Sequence, residues 1–437
     1  MLKTIYTIVV VGLFVVLYYF DLPVTFESWT YMIGKYFGFL GLSMIVVQFV
    51  LSSRMRWLEK GVGYDRMLRW HKWNGKAALF TLLFHPGLVF YGPLLRAGVS
   101  FFDLFGYMTF GHWYGEIALL LIITVVVTTL YAHLIRLDYE RWRWVHRLVY
   151  FIVTLGFMHS FAIGSDVLFD GHLFWYWIAL LGIALYAMAY RYIWRPLQYR
   201  NSTYIIDKIV EETHDVRSFY LKPKNGERMK YQPGQFAFTK IFSDAVSKEE
   251  HHFTLSSSTM WDEMTLTIKE SGDYTSMLKN VKEGDRMAVE GPYGVCSNVG
   301  MEGPFVFIAG GIGITPIMSM LRSADRTFAG KVPKTLLLYA NKTQADVAFK
   351  SELDQMAESA DWLDIAYVYS DEEVENAYHG FITKEIVEKE LGNSQLELSK
   401  STVFLVGPEP MMDAVEKLLL ILGAHKDHIF TERFALR

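Results

Sequence analysis

The first two hundred residues alternate between long apolar runs and short polar segments. Six runs are each long enough to cross about 30 Å of hydrocarbon as a helix. They occupy residues 3–20, 36–53, 73–92, 115–135, 145–164 and 172–194. The pattern predicts six membrane spans within residues 1–198. We interpret the first run as a retained span, because no small-residue cleavage site follows it.

The pattern changes twice after residue 198. Residues 199–300 contain short stretches of alternating apolar and polar positions between glycine and proline turns, which is typical of β-strands. Residues 301–437 alternate buried strands with helices, which indicates a doubly wound parallel sheet. The sequence therefore predicts three domains: a membrane bundle, a β domain and an α/β domain.

The two halves of the chain differ in their balance of charged residues. Residues 1–200 contain 17 Lys and Arg against 10 Asp and Glu, whereas residues 201–437 contain 25 against 36. The basic residues of the first half concentrate in the loops after the second, fourth and sixth runs. By the positive-inside rule, these loops, both termini and the soluble half are predicted to be cytoplasmic, in a multi-pass protein of the plasma membrane. The acidic soluble half excludes a nucleic-acid surface, and the lone Cys296 excludes intramolecular disulfides and Cys-ligated clusters.

Four histidines lie in or beside the third and fifth apolar runs. His71 and His85 are 14 residues apart, and His146 and His159 are 13 apart. These separations rise about 21 and 20 Å along a helix, so the inner pair His71/His146 and the outer pair His85/His159 lie at matching depths. Ionisable residues in spans usually have a function, and an iron held by two imidazoles transfers electrons without an open coordination position. We therefore predict four axial ligands of two stacked haems, although any one histidine alone could equally serve a helix–helix hydrogen bond.

The 13-residue spacing does not return to the same helix face. At about 100° per residue, 14 steps end within 40° of the starting face, but 13 steps end about 140° away. The fifth span is therefore either distorted or presents its two histidines from different sides.

Four segments of the β domain resemble the flavin-binding barrel of the ferredoxin–NADP reductase family. They are Tyr231-Gln-Pro-Gly-Gln-Phe236, His251-His-Phe-Thr-Leu-Ser-Ser257, Lys269-Glu-Ser-Gly-Asp-Tyr-Thr275 and Gly291-Pro-Tyr-Gly294. The resemblance implies a β-barrel that binds FAD, with the isoalloxazine against Phe253 and Thr254. It also implies a pyrophosphate site, where a cation and backbone donors suit two phosphates. The remaining FAD-site residues implied are His251, Ser256, Ser257, Phe236, Lys269, Gly272 and Thr275.

The last domain begins with a buried strand that runs into Gly310-Gly-Ile-Gly-Ile-Thr-Pro316. A strand, a glycine turn and a helix start form a cradle for an anion. In the same family this segment and Gly407-Pro-Glu-Pro-Met-Met412 line the nicotinamide dinucleotide site. The resemblance implies binding by Gly310, Gly311, Gly313, Thr315, Pro316, Lys342, Gly407, Pro408 and Met411.

Three departures and one tail segment qualify the resemblance. His252 replaces the family's usual proline, and Val406 stands where most relatives have a cysteine beside the nicotinamide. The acidic run 371–373 favours NADH or mixed use over NADPH, although Lys342 could compensate. The tail resembles the family's terminal Glu-x-Phe segment, which implies that Phe434 stacks on the flavin and acts in catalysis with Thr254; alternatively, the tail only docks the domain.

The whole chain resembles the transmembrane NADPH oxidase / ferric reductase family. The resemblance implies FAD, two haems b, and NADPH or NADH as cofactors. It also implies hydride transfer to flavin, then single-electron transfer through both haems to an extracytoplasmic acceptor. Our first expectation for that acceptor is O2, giving superoxide; the alternatives are ferric chelates, a membrane-anchored flavin reductase serving a partner protein, and a slow redox sensor. Beyond the lipid bilayer, the sequence indicates no obligate regulatory subunit.

Overall fold

The computed structural model describes residues 26–432, except 101–102, 133, 136–138, 165–166 and 168–170. The chain divides into two compact units between Arg195 and Pro196. The predicted span at residues 3–20 and the predicted flavin-stacking Phe434 lie outside the described residues.

The first unit is helical. Its helices, some interrupted by short turns, are α1 Phe26–Ser52, α2 Arg56–Val62, α3 Tyr64–Pro86, α4 Gly92–Arg96, α5 Phe110–Leu130, α6 Tyr139–His146, α7 Val149–Ile163, α8 Gly171–Ala189 and α9 Arg195–Asn201. Two π-helical segments continue helices of this unit: Gly87–Tyr91 joins α3 to α4, and Tyr190–Trp194 joins α8 to α9. α9 crosses into the second unit.

Four helical stretches among the described residues are long and apolar enough to cross a membrane. They are Trp29–Ser52, Phe110–Leu130, Arg141–Ile163 and Gly171–Tyr199. α3, which contains residues 73–86 of the third predicted run, is not among them, because its first half is polar and includes Arg69 and Lys72. A transmembrane helical region is therefore present, and the predicted count of six spans is not confirmed.

Polar contacts and a buried apolar core hold the helices of this unit together. Asn74 Nδ2 on α3 donates to the Met44 carbonyl on α1 over 2.8 Å. Gln48 Nε2 on α1 donates to the His71 carbonyl over 3.0 Å. Hydrogen bonds of this kind recur between helices that pack in lipid. Large apolar side chains such as Leu120 and Phe151 are exposed, which suits a surface that faces lipid.

The second unit begins with a six-stranded antiparallel sheet. Its strands are β1 Thr203–Thr213, β2 Val216–Pro223, β3 Phe236–Phe242, β4 Glu250–Thr254, β5 Met264–Lys269 and β6 Arg286–Tyr293. The strand order is β4-β3-β6-β1-β2-β5. The edge strands approach each other at an isolated bridge between Leu255 and Leu266, but no ladder among the described residues closes the sheet. The antiparallel β domain is therefore present, and the closed barrel is not confirmed.

A second six-stranded sheet completes this unit, and all its strands are parallel. Its strands are β7 Phe305–Gly310, β8 Thr335–Asn341, β9 Leu363–Tyr369, β10 Tyr378–His379, β11 Thr402–Val406 and β12 Ile429–Glu432. The order β10-β9-β8-β7-β11-β12 reverses direction between β7 and β11. In open α/β sheets, ligands bind at such a switch point, beyond the carboxyl ends of the strands.

Short helices accompany both sheets of the second unit. The β domain carries α10 Asp273–Met277, and the α/β domain carries α11 Ile314–Arg322, α12 Ala324–Thr327, α13 Lys350–Ser359, α14 Lys384–Asn393 and α15 Glu409–Ile421. The parallel sheet is buried on both faces, with Phe305 and Phe307 in one core and Val306 and Ile308 in the other. This is the doubly wound α/β arrangement predicted for the last third of the chain.

Candidate functional site

The four membrane histidines form two close pairs. The ring centroids of His71 and His146 are 6.1 Å apart, with an interplanar angle of 49°. Those of His85 and His159 are 6.0 Å apart, with an angle of 89°. The structure thus brings together the inner pair and the outer pair that the depth argument predicted.

Both separations fit an iron atom held between two imidazoles. A metal–nitrogen bond of about 2 Å on each side, plus about 1.2 Å from each nitrogen to its ring centre, places the centroids roughly 6.4 Å apart. Haem iron accepts two such ligands and then has no open position. The residues present therefore fit this group, at two places in the helical unit.

Each ring of the outer pair is fixed by a backbone carbonyl. His85 Nδ1 lies 2.8 Å from the Gly34 carbonyl oxygen, and His159 Nδ1 lies 2.8 Å from the Gly111 carbonyl oxygen. A carbonyl can only accept, so Nδ1 carries the proton in both rings. The lone pair of each Nε2 is then free to bind a metal, which is the usual outer-sphere arrangement of a metal-ligating histidine.

The inner pair lacks hydrogen bonds of this geometry. Within the described part of the chain, the buried Nδ1 atoms of His71 and His146 have no well-aligned hydrogen-bond partner, and the His71 ring interacts more loosely with the Gln48 backbone. The His146 ring instead contacts Trp142, with centroids 4.9 Å apart. The two pairs therefore share a spacing but differ in how their rings are held.

The helix that carries His146 and His159 is interrupted between them. α6 ends at His146, and α7 begins at Val149. In the interruption, the Leu148 N–H bonds to the Val145 carbonyl, three residues back. Such a turn advances about 120° per residue rather than 100°, which rotates His159 back toward the face of His146. Of the two alternatives drawn from the 13-residue spacing, the structure contains the distortion.

The predicted isoalloxazine segment lies on β4 at the edge of the antiparallel sheet. Thr254 is buried and lies opposite Phe236 across the β3–β4 ladder, while Phe253 is half-buried. The His251 ring stacks on Tyr274, with centroids 3.7 Å apart. Burial raises the pKa of Tyr274, so its hydroxyl stays neutral. The sequence argument missed Tyr274 as a partner of this segment.

The two serines that follow are fully buried and bonded within the protein. Ser256 Oγ lies 2.8 Å from Thr267 Oγ1. Ser257 Oγ lies 2.7 Å from the Tyr231 hydroxyl and accepts the Thr265 N–H over 2.9 Å. Both hydroxyls thus hold the segment in place, and their direct contact with FAD stays a prediction.

The predicted pyrophosphate segment forms a small local network. Lys269 Nζ lies 3.1 Å from an Asp215 carboxylate oxygen. The Thr275 hydroxyl accepts the N–H groups of Ser271 and Gly272 over 2.8 and 3.0 Å. Burial alone would raise the pKa of Asp215, but hydrogen bonds from Lys269 and a threonine hydroxyl hold that pKa below its ordinary value.

The two glycine segments of the α/β domain meet at the switch point between β7 and β11. A Cβ on Gly313 would lie 2.4 Å from the Val406 carbonyl oxygen. A Cβ on Gly310 would lie 2.6 Å from Met411 Sδ, and one on Gly407 would lie 3.1 Å from the Gly310 nitrogen. These glycines therefore permit close packing of the two strand ends, as the sequence argument expected for one shared site.

Gly311 differs from its neighbours because it faces open space. Its φ is +52°, and nothing lies within 4 Å of a Cβ built there. An open glycine immediately before a helix N-terminus leaves room for a dinucleotide phosphate to approach the backbone, so the residues here fit the cofactor. Thr315 and Pro316 on α11 are buried inside the domain, and Pro408 lies at the start of α15.

The predicted specificity residues lie beyond the ends of β8 and β9. Lys342 is exposed, and its carbonyl accepts the Asp371 N–H over 2.9 Å. Glu372 accepts the Gln344 N–H over 2.7 Å. The acidic run and Lys342 are therefore neighbours, and the preference between NADH and NADPH stays a prediction.

Three family models match successive parts of the chain. They are the ferric reductase like transmembrane component at residues 37–157, the FAD-binding domain at 213–305 and the oxidoreductase NAD-binding domain at 307–417. Together these matches give the chain a ferric reductase/NADPH oxidase-like architecture. A ferric reductase-like transmembrane domain is followed by FAD- and NAD-binding domains of oxidoreductase families.

Relatives of this ferric reductase-like chain include known flavoproteins. Flavohemoprotein B of Dictyostelium discoideum is 31% identical over 260 residues, covering 53% of this chain and 58% of the relative. The ferredoxin reductase component of 3-ketosteroid-9-alpha-monooxygenase from Mycolicibacterium smegmatis is 32% identical over 243 residues, covering 52% and 64%. The FAD/NAD-binding domain of nitric oxide dioxygenase from Vibrio cholerae is 27% identical, covering 53% of this chain and 98% of that structure, with a TM-score of 0.47. The chain thus spans 58% and 64% of the length of these two curated relatives.

The sequence argument missed the glycines that hold the outer histidines. They lie in two similar pentapeptides, Gly34-Lys-Tyr-Phe-Gly38 and Gly111-His-Trp-Tyr-Gly115, each with a basic or imidazole residue and two aromatic residues between the glycines. This internal similarity was visible in the sequence. Its meaning was not, because the partner of each glycine lies about fifty residues away.

Proposed function

We propose that the protein transfers electrons from cytoplasmic NADPH or NADH through FAD and two haems b to O2 on the other side of a membrane, producing superoxide. The observation that carries this proposal is the presence of two histidine pairs, in which the ring centroids are 6.1 Å apart (His71 and His146) and 6.0 Å apart (His85 and His159). The same chain also matches FAD- and NAD-binding domains. The proposal places the haem bundle at residues 1–198, the FAD barrel at 199–300 and the nucleotide domain at 301–437. It places both termini and both soluble domains on the cytoplasmic side of the plasma membrane.

The flavin, when bound, supplies the conversion between a two-electron donor and one-electron acceptors, and the haems supply one-electron transfer. The chain supplies position. In this proposal the Gly310–Gly313 turn and the start of α11 hold the dinucleotide phosphates, and Phe253 and Thr254 hold the isoalloxazine. Stacking of Phe434 on the flavin stays a prediction, because that residue lies outside the described residues.

The four histidines set what the membrane half can do. The imidazoles of each pair would hold a haem iron as two ligands and would leave no open position for O2 to bind. The group they would hold supplies one-electron transfer, which favours superoxide as the product of O2 reduction. The helical unit around the pairs has a buried apolar core.

The nature of the outer loops favours a small neutral acceptor. Residues 96–109 and 164–170 contain Asp103, Asp166 and Asp170, and Arg96 is their only basic residue. Ferric chelates of carboxylate ligands are anionic, and this acidic charge repels them. Ferric-chelate reduction is the second candidate function, favoured by the match to a ferric reductase like component.

One assay separates the two acceptors. The purified holoprotein is supplied with NADPH or with NADH, and cytochrome c reduction sensitive to superoxide dismutase is measured beside ferric-chelate reduction under anaerobic conditions. Dismutase-sensitive reduction that is faster than chelate reduction supports the proposal. Rapid anaerobic chelate reduction with little superoxide assigns the chain to the second function.

The His85→Ala variant tests the proposed electron path through the two haems. Loss of one axial ligand removes the outer haem, so electron delivery to the far side should fall by at least tenfold while flavin reduction by NADH or NADPH continues. The haem absorption spectrum and the flavin content are measured on the same sample. Full far-side activity in this variant would defeat the pairing. A wild-type spectrum showing flavin alone would favour a membrane-anchored flavin reductase serving a partner protein, a role close to that of the reductase components named among the relatives.

A further inference from the structure

Each outer histidine ring packs against two glycines four residues apart on a neighbouring helix: Gly34 and Gly38 for His85, and Gly111 and Gly115 for His159. We call each pair of glycines a glycine cradle. A Cβ built on Gly38 would lie 2.7 Å from both Nδ1 and Cε1 of His85, and 3.2 Å from its Cγ. A Cβ built on Gly115 would lie 2.6, 2.7 and 3.2 Å from the same three atoms of His159. Real Cβ atoms do not approach other atoms this closely, so each ring occupies space that only glycine leaves open.

The first glycine of each pentapeptide supplies the other half of the cradle. Its carbonyl accepts the Nδ1 proton over 2.8 Å, from His85 at Gly34 and from His159 at Gly111. Residues i and i+4 lie on one face of a helix, so one helical turn both bonds the ring and makes room for it. The two turns belong to α1 and α5, and the two rings belong to α3 and α7.

The cradles fix both the protonation and the plane of each ring. With Nδ1 donating to a carbonyl, Nε2 must be the metal-binding nitrogen. The ring planes of the outer pair lie at 89°, whereas those of the inner pair, whose Nδ1 atoms have no well-aligned partner within the described residues, lie at 49°. Irons held by these two pairs would therefore have different ligand fields.

We infer that the two glycine cradles, Gly34–Gly38 and Gly111–Gly115, position the outer histidines as perpendicular Nε2 ligands. This arrangement makes the outer haem spectroscopically distinct from the inner one. The inference rests on the proposed function, because it concerns the ligands of one of the two haems. Gly38 and Gly115 act through the histidines and are positioning residues.

Electron paramagnetic resonance of the oxidised holoprotein tests the inference directly. A ferric haem with perpendicular imidazole planes gives a highly anisotropic low-spin signal, and a smaller interplanar angle gives a rhombic one. The wild-type protein should show one signal of each kind, and His85→Ala should remove the anisotropic one. Two rhombic signals in the wild type would overturn the inference while leaving the proposed function intact. A preparation without haem would overturn both.

Alanine variants test the two glycine cradles themselves. Gly38→Ala and Gly115→Ala should each abolish or shift the anisotropic signal and move the midpoint potential of one haem, with the rhombic signal and the flavin content unchanged. Gly182→Ala is the matched control, because Gly182 lies within a membrane helix and nothing lies within 4 Å of its Cβ position. Unchanged signals and potentials in both cradle variants would overturn the inference. If the cradle variants do not accumulate as folded protein, the wild-type spectrum alone decides.

Discussion

Arg322 is the residue on which we expect the flavin segment most to depend. It lies at the end of α11, and its side chain is 3% exposed. Its Nη1 donates to the Ser256 carbonyl, directly after the predicted isoalloxazine segment, over 2.7 Å. Nε and Nη2 donate hydrogen bonds to the two oxygens of the Glu352 carboxylate over 2.8 and 2.5 Å. The guanidinium also lies over the rings of Trp261 and Phe349, 4.9 and 4.6 Å from their centroids.

The Arg322→Ala change removes all of these contacts together. Breaking a buried ion pair by deleting one partner costs about 3–5 kcal/mol, because the remaining charge is left unpaired. The Glu352 side chain is 35% exposed, so water relieves part of that penalty and places the ion-pair loss near the lower end. Each lost cation–π contact adds about 0.5–1 kcal/mol. We expect a total loss of about 4 kcal/mol in the free energy of unfolding of the soluble unit.

Thermal release of flavin, followed by its fluorescence, measures this loss. For a unit of this size, 1 kcal/mol shifts the midpoint by about 2–4 °C, so Arg322→Ala should release flavin roughly 10 °C below the wild type. Arg322→Lys keeps the charge but loses the two-pronged grip and should fall between the two. Arg326→Ala is the control, since Arg326 is exposed and makes one hydrogen bond of 3.2 Å to the Thr259 carbonyl. Equal release temperatures for Arg322→Ala and Arg326→Ala would refute this reasoning.

Two further changes probe the remaining sites. Gly313→Ala forces a Cβ to within 2.4 Å of a carbonyl oxygen at the end of β11, so it should raise KM for the nicotinamide at least tenfold with flavin content retained. Gly392→Ala, with open space at its Cβ, should change neither KM nor flavin content. An unaltered KM in Gly313→Ala would contradict the close packing. Because Lys269 helps to hold the pKa of Asp215 below its ordinary value, the stabilisation by Asp215 is present above its unfolded pKa of about 3.9 and is lost as pH falls through the folded pKa. Asp215→Asn should therefore release flavin earlier at pH 7, with the gap to the wild type closing below about pH 4; a gap that persists in acid would contradict the assignment.

Local patterns predicted the elements and motifs of this chain well. Alternating strands and glycine turns are determined by residues a few positions apart, so the antiparallel sheet and the parallel sheet were both visible in the sequence. The two glycine segments around Gly313 and Gly407 were also expected to share one site, since the carboxyl ends of neighbouring parallel strands meet at the same edge. The pairing of His85 with His159 followed from depth alone, and the structure brings these rings together.

What the sequence could not predict depends on contacts between distant residues. Gly34 and His85 are 51 residues apart, and Ser256 and Arg322 are 66 apart. No local rule connects either pair. The helix interruption after His146 was foreseen as one of two alternatives, but its place was not, because tightening of a turn at Leu148 depends on how α6 and α7 pack. The third span was predicted to begin at residue 73, whereas α3 begins at Tyr64, so the polar segment before the span was not foreseen as part of the same helix.

Glycine shows most clearly why a motif needs its surroundings. In the α/β domain, Gly313 is required because a backbone oxygen lies against it, whereas Gly311 is useful because nothing does. In the membrane half, Gly38 and Gly115 are required by an imidazole ring, yet Gly182 in a similar apolar helix faces open space. The same residue thus permits packing, ligand approach or neither, and only the atom nearest its missing Cβ distinguishes these cases. For Gly38 and Gly115 that atom belongs to a predicted haem ligand, which is why two small residues outside every recognised motif bear on the chemistry of the outer site.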